Sequence, residues 1–160
     1  MLELNENITD NEIVEAFDSP ENKYSVVNLK PKDSIAQTFL IKAPGNDNLV
    51  LRLVSGKSNG EAVRRLTASD KVIHVYLMSL SASGNEVKLK GGLGDDPLGV
   101  ISTIFDTIFS TAKLIKAQAV LFRFTNNQMK GKAKVLQRVI DRLIRARSGG
   151  KYISVEEIQD

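Results

Sequence analysis

Few side chains in this sequence can carry acid–base or metal chemistry. Among 160 residues there is no cysteine and a single histidine, His74, which excludes thiolate nucleophiles, cysteine-based metal centres and multi-histidine metal sites. His74 shares one face of an apolar run with Val72, Tyr76 and Met78, a setting that is typical of a core histidine and also allows a general base. Glu86 opens the next alternating segment. We therefore name His74 and Glu86 as the candidate bases and predict no metal site.

A glycine-rich turn at 91–94 separates that alternating segment from a strong helix pattern. A strand, a glycine turn and a helix N-terminus can together hold a phosphate on backbone N–H groups, and Gly92 and Gly94 would do so here. Two acidic residues, Asp95 and Asp96, follow at once and bring negative charge to the same place. The sequence therefore favours Asp96 as a helix N-cap over a phosphate cradle.

Charge is concentrated near the two ends of the chain, although the net charge is only +3. Residues 1–21 carry seven acidic side chains and no basic one, whereas residues 128–151 carry eight basic side chains and one acidic one, Asp141. A basic helix of this kind can face the acidic segment of its own molecule, another protein or a nucleic acid. The interaction surface that we predict on it consists of Lys130, Lys132, Lys134, Arg138, Arg142, Arg145 and Arg147.

The elements that must position these residues follow from hydrophobic periodicity. Alternation predicts strands at 23–30, 35–42, 48–54, 71–80, 86–90, 119–124 and 151–155. Helical spacing predicts a short helix after Thr9, a long helix at 97–116 and the basic helix at 129–147. The 71–80 strand is apolar on both faces, which is the pattern of a central strand.

Composition and element order together predict a single α+β domain over residues 1–160. Hydrophobic residues make up 42% of the chain and charged residues 26%, which excludes a wholly disordered protein. We expect an acidic helical segment at 1–21 and a core at 23–155, in which helices flank a single mixed, mostly antiparallel sheet. No apolar run approaches the ~18 residues of a membrane span, so we expect a cytoplasmic protein without a membrane partner.

The order of predicted elements over 23–155 resembles the GNAT acetyltransferase superfamily. In that superfamily the glycine turn binds the pyrophosphate of acetyl-CoA; Gly92 and Gly94 match its last two positions, whereas Leu89 stands where the motif has Gln or Arg. Segment 119–147 is similar to GNAT-like proteins of bacteriophages, but it contains no tyrosine to serve as the general acid of many acetyltransferases. The resemblance therefore implies a GNAT-like fold of phage origin with an incomplete active-site motif.

Three functions follow from these patterns as alternatives. The incomplete motif favours a non-catalytic GNAT-like accessory domain that binds another protein or a second copy of itself. Such a domain would use no cofactor, and it would act in the host cytoplasm if a phage encodes it. An acetyl-CoA-dependent N-acyltransferase would instead hold its cofactor at Gly92 and Gly94 and use His74 or Glu86 as the base. Nucleic-acid binding would depend on the basic helix at 129–147 and would weaken steeply with salt. We expect the first of these.

Overall fold

A computed structural model describes residues 24–29, 36–56, 72–117, 119–122 and 133–148, together with Thr9 and Asn11. The strands in these ranges are β1 (Val26–Asn28), β2 (Ala36–Ala43), β3 (Asn46–Gly56), β4 (Val72–Leu80), β5 (Glu86–Lys88) and β6 (Ala119–Phe122). The helices in the same ranges are α1 (Pro97–Ile115) and α2 (Ala133–Ser148). The predicted helix after Thr9 and the predicted strand at 151–155 fall almost entirely outside the described residues.

The described strands form one mixed sheet with β4 at its centre. Strands β1 to β5 pair in chain order and antiparallel, and β6 pairs parallel with β4. Strand β3 lies along one side of β4. The other side is shared, because β5 pairs with residues 78–80 of β4 and β6 with residues 72–75. The run that is apolar on both faces is thus a central strand, as its pattern predicts.

One face of the sheet and the two helices enclose the core. Alternation along β2 and β3 places Phe39, Ile41, Leu49, Leu51 and Leu53 on this face, all 9% exposed or less. The apolar stripes of α1 and α2 cover them, and burial of each such side chain stabilises the fold by about 1.5–3 kcal/mol. Helix α1 is long and apolar enough to cross a membrane by length and composition, but ten of its residues are buried, which is the pattern of a core helix.

Helix α1 begins at a buried acidic cap. The carboxylate of Asp96, which is 3% exposed, accepts a hydrogen bond from the Gly99 N–H (3.4 Å) and another from the Tyr24 hydroxyl (2.5 Å). The Tyr24 N–H donates to Thr103 Oγ1 at 3.1 Å, which ties the chain before β1 to the second turn of α1. The hydrogen bond to Asp96, desolvation and the charge of that carboxylate raise the pKa of Tyr24 to about 12. The predicted N-cap is confirmed.

The glycine turn before α1 is bonded to the β2–β3 hairpin. The Asp95 N–H donates to the Pro44 carbonyl at 2.6 Å, and the Asn46 side-chain amide donates to the Gly92 carbonyl at 2.9 Å. Gly94 has φ +81°, and a Cβ at this position would lie 2.2 Å from the Pro44 carbonyl oxygen. A close backbone approach therefore requires glycine at this position.

The structure confirms an α+β fold with a mixed, mostly antiparallel sheet flanked by helices, but it does not show the GNAT-like order. The parallel strand expected after the long helix is β6. It pairs with β4, because β5 is only three residues long and covers the opposite end of that edge. The boundaries of the single domain at 1–160 stay a prediction.

We expect Gly94→Ala to destabilise the protein more than Gly84→Ala. Both glycines have positive φ, +81° and +85°, so both variants lose about 1–2 kcal/mol to a left-handed backbone. Only the Gly94 variant adds the clash with Pro44, since no atom lies within 4 Å of a Cβ at Gly84, and overpacking costs about 1–3 kcal/mol more. Urea unfolding of the two variants measures the difference, and equal losses would contradict the proposed backbone contact.

The Tyr24–Asp96 hydrogen bond predicts a pH dependence of stability at alkaline pH. A tyrosine whose pKa rises from 10.0 to about 12 on folding contributes its full stabilisation below pH 10 and loses it as the pH rises toward 12. The difference in unfolding free energy between the wild type and Tyr24→Phe should therefore be constant below pH 10 and shrink between pH 10 and 12. Chemical denaturation at a series of pH values tests this; a difference that is unchanged at pH 12 would rule it out.

Candidate functional site

The second face of the sheet, which points away from the two helices, carries the polar residues that the core excludes. Strand alternation places on it a mixed set of side chains, Thr38, Leu40, Val50, Arg52, Val54, His74, Tyr76, Met78, Glu86 and Lys88. Thr38 and Val50 are buried, whereas Tyr76 is 49% exposed. Polar side chains that lie partly buried on such a surface are candidates for binding or chemistry.

Three of these side chains meet in what we call the Glu86 cluster: Thr38, Arg52 and Glu86. The Thr38 hydroxyl donates to Glu86 Oε1 at 3.4 Å, and Arg52 Nη1 lies 3.8 Å from Glu86 Oε2. The side chain of Glu86 is 16% exposed and that of Arg52 is 39% exposed. The cluster thus joins a shielded carboxylate to a hydroxyl and a guanidinium, and a carboxylate of this kind can accept a proton or orient a cation.

The contacts within the Glu86 cluster require a strongly curved sheet. Thr38 lies on β2 and Glu86 on β5, with β3 and β4 between them. In a flat sheet three strand spacings would separate their backbones by roughly 14 Å. Since the two side chains are in contact, the sheet curls toward its second face, and Val50, in the middle of this face, is fully buried. The Glu86 cluster therefore lies on a concave surface.

Arg52 has an unsatisfied donor within this surface. Its Nε is buried and has no hydrogen-bond partner among the described residues. Thr38 on β2 and Tyr76 on β4 are its direct neighbours in register, and the tyrosine is half exposed. Leaving a buried donor unpaired costs about 1–3 kcal/mol, so Arg52 is not held in a fully satisfied arrangement.

The structure separates the two candidate bases that the sequence predicts. His74 lies opposite Val54 on β3 and Leu121 on β6 and is partly buried, and its imidazole makes no hydrogen bond in the described part of the chain. Glu86 is the candidate with polar partners on two other strands, Thr38 on β2 and Arg52 on β3. Sequence reasoning missed one of them, Arg52, although it is the only charged residue in the otherwise apolar run at 49–54.

The turn with Gly92 and Gly94 is held against the β2–β3 hairpin, with an acidic side chain at its end. The Asp95 N–H and the Gly92 carbonyl are used by the β2–β3 hairpin, and the buried Asp96 carboxylate caps α1. An entering phosphate would have to displace that carboxylate, which carries the same sign of charge. Through these contacts the turn connects the β2–β3 hairpin to the start of α1.

Helix α2 carries the basic surface that the sequence predicts, as far as it is described. Lys134, Arg138 and Arg145 are exposed on it, and Arg145 pairs with Asp141 at 3.6 Å. Arg142 is partly buried. Lys130, Lys132 and the side chain of Arg147 fall outside the described residues. The interaction role of these basic residues stays a prediction.

Comparison with known proteins finds long relatives in bacteriophages. The chain is 35% identical over 154 residues, 92% of its length, to proteins named NAD(+)--arginine ADP-ribosyltransferase from Enterobacteria phages T2 and T4. It spans only 21% and 22% of the length of these relatives. It is also 38% identical over 52 residues to an uncharacterized 7.4 kDa protein in the Gp54-alt intergenic region of phage T4. A search of solved structures finds no significant match.

These relatives overturn most of the functional expectations from the sequence. Proteins with this name are not GNAT acetyltransferases, so the GNAT resemblance, the non-catalytic accessory role and the alternative of N-acyl transfer are wrong. Nucleic-acid binding through the basic helix stays a prediction. The expectation of no cofactor, or of acetyl-CoA, is wrong as well, since the name specifies NAD+. The physical reason is that many α+β folds share an order of elements while their sites differ. The expected connection to bacteriophages is supported.

A family model gives the same assignment over more than half of the chain. It matches residues 72–160, from the first residue of β4 to the last residue of the sequence, and so includes Glu86 and the turn before α1. The chain belongs to the Tevenvirinae NAD(+)--arginine ADP-ribosyltransferase family.

Proposed function

We propose that this chain takes part in the NAD+-dependent ADP-ribosylation of arginine and that Glu86 is the carboxylate that holds the acceptor guanidinium. The observation that carries the proposal is 35% identity over 92% of the chain to NAD(+)--arginine ADP-ribosyltransferases. The relatives are phage proteins, so the reaction belongs in the cytoplasm of an infected cell. The acceptor is an arginine side chain, and a protein that bears one is the partner.

Glu86 has the chemistry that an arginine acceptor needs. NAD+ supplies the ADP-ribosyl group: a new bond joins a guanidinium nitrogen to the ribose carbon C1′ as the bond from C1′ to nicotinamide breaks, and nicotinamide leaves with the electron pair. A guanidinium stays protonated in water because its pKa is above 12, so its nitrogen is a poor nucleophile. The Glu86 carboxylate orients the planar guanidinium, takes the proton that the nitrogen loses and passes it to water.

The surroundings of Glu86 support this role. The Thr38 hydroxyl donates to one carboxylate oxygen at 3.4 Å, and the side chain of Glu86 is only 16% exposed, which shields the carboxylate from water. The unsatisfied Nε of Arg52 and the exposed Lys88 bring positive charge to the same face, which suits the phosphates of a dinucleotide. Tyr76, half exposed beside them, offers a ring on which a base can stack.

Replacing Glu86 by glutamine should abolish ADP-ribosyl transfer without unfolding the protein. The amide keeps the shape and the hydrogen bond from Thr38, but it cannot accept a proton, and loss of a general base costs about 10²–10⁴-fold in rate. The assay incubates the purified chain with NAD+ and agmatine, a small guanidinium acceptor, and measures ADP-ribosyl-agmatine and released nicotinamide by mass spectrometry. We expect product from the wild type and at least a hundredfold less from Glu86→Gln.

Asp141→Asn is the matched control, because it removes a partly buried carboxylate from α2, away from the second face of the sheet. It should keep the wild-type rate. Absence of product from the wild-type chain would contradict the proposed function. Equal rates for Glu86→Gln and the wild type would remove Glu86 from the reaction.

A further inference from the structure

Helices α1 and α2 form a basic layer on the side of the sheet opposite the Glu86 cluster. We infer that this helix layer is a docking surface for the phosphate backbone of duplex DNA. The inference does not depend on the proposed function, because the Glu86 cluster lies on the other face of the sheet. The described charged side chains of the two helices and of the α1 C-cap are six basic and two acidic ones, Lys113, Lys116, Lys134, Arg138, Arg142 and Arg145 against Asp106 and Asp141.

The exposed charges of α2 lie along one side of that helix. Lys134, Arg138 and Arg145 are exposed, and their spacings of four and seven residues return each of them to the same side. Val139 and Leu143, which take the other side, are fully buried. From Lys134 to Arg145 the helix rises roughly 16 Å, a length over which duplex DNA carries about ten phosphate charges.

Not every basic side chain of the helix layer is needed for the inference. Arg138 and Arg142 have partners within the chain. Arg145 pairs with Asp141 at 3.6 Å, but its side chain is 63% exposed, and an ion pair so open to water contributes little to stability. A phosphate can therefore take the place of the carboxylate. Helix α1 packs against α2 and adds two exposed lysines, so the cations that carry the inference are Lys113, Lys116, Lys134 and Arg145.

The exposed side of α2 offers charge without an apolar anchor. The large hydrophobic side chains that are exposed among the described residues are Val27, Leu29, Tyr76 and Leu114, and none of them lies on α2. Interfaces between proteins have an apolar core in which charged residues are depleted. Binding to DNA, in contrast, draws much of its affinity from cations that neutralise phosphates. The surface of α2 therefore favours a nucleic acid over an acidic protein.

The same helix favours a DNA duplex over other nucleic acids. Single strands are held by aromatic rings on which bases stack, and the sequence of α2 contains no aromatic residue. The major groove of B-form DNA is wide enough for an α-helix to lie along it, whereas the major groove of A-form RNA is deep and narrow. Phosphate contacts carry no sequence information, so we expect binding without sequence preference.

The test is a titration of the full chain into a fluorescein-labelled DNA duplex of about 20 base pairs, followed by fluorescence anisotropy. We expect binding at 50 mM KCl that weakens about a hundredfold by 200 mM KCl, the loss for about four neutralised phosphates. The double variant Lys134→Gln/Arg145→Gln should bind at least tenfold more weakly at 50 mM KCl. It should also lower the slope of log affinity against log salt by about 2.

A matched pair of single variants locates the binding surface. Lys134→Gln should weaken binding several-fold and lower the salt slope by about 1. Lys42→Gln removes the same charge from an exposed lysine of β2, outside the helix layer, and should bind like the wild type. Equal losses in the two variants would overturn the assignment to the helix layer.

Three further results would overturn the inference. The first is no change in anisotropy at 50 mM KCl, or an affinity that is independent of salt. The second is competition by poly-glutamate as effective as that by unlabelled duplex, which would assign the surface to an acidic polypeptide. The third is equal binding of an RNA duplex, which would contradict the fit to B-form DNA. Failure of the proposed function would appear separately, as absence of ADP-ribosyl-agmatine in the transfer assay.

Discussion

The hydrogen bond from Thr38 to Glu86 joins two strands that are not neighbours, and the candidate site depends on the curvature that this contact requires. Strands β3 and β4 lie between its partners, so the sheet must bend around Val50 to bring them together. Packing on the other face supports the bend, because α1 and α2 cover β2 and β3 there. The alternation of β3 thus serves both faces of the sheet: Leu49, Leu51 and Leu53 are in the core, and Arg52 faces the concave side.

Local patterns were sufficient to predict the elements but not their neighbours. Alternation places β2, β3 and β4 close to their observed bounds, and Asp96 is recognisable as an N-cap, because both signals lie within a few residues. Glu86 could be named as a candidate base because it carries a carboxylate. Its contact with Thr38 could not be predicted, since 48 residues and two strands separate them and no periodicity encodes a curl of the sheet.

The GNAT resemblance failed because an order of elements does not determine the contacts that make a site. A strand, a glycine turn and a helix occur in the expected order, yet the turn is bonded to the β2–β3 hairpin through Asp95 and Asn46, and β6 pairs with β4. Gly94 serves a close backbone contact at Pro44. The same residues can hold a phosphate or a hairpin, and only the tertiary contacts decide between them.

The Glu86 cluster also shows why the matched family segment is not by itself the whole site. That segment begins at residue 72, so it contains Glu86 but neither Thr38 nor Arg52. Strands β2 and β3 supply both of these partners, and β3 pairs along eight residues of β4. A fragment that starts at β4 would expose one long side of its central strand and leave Glu86 without the hydroxyl that orients it. The preceding strands therefore belong to the candidate site as well as to the fold.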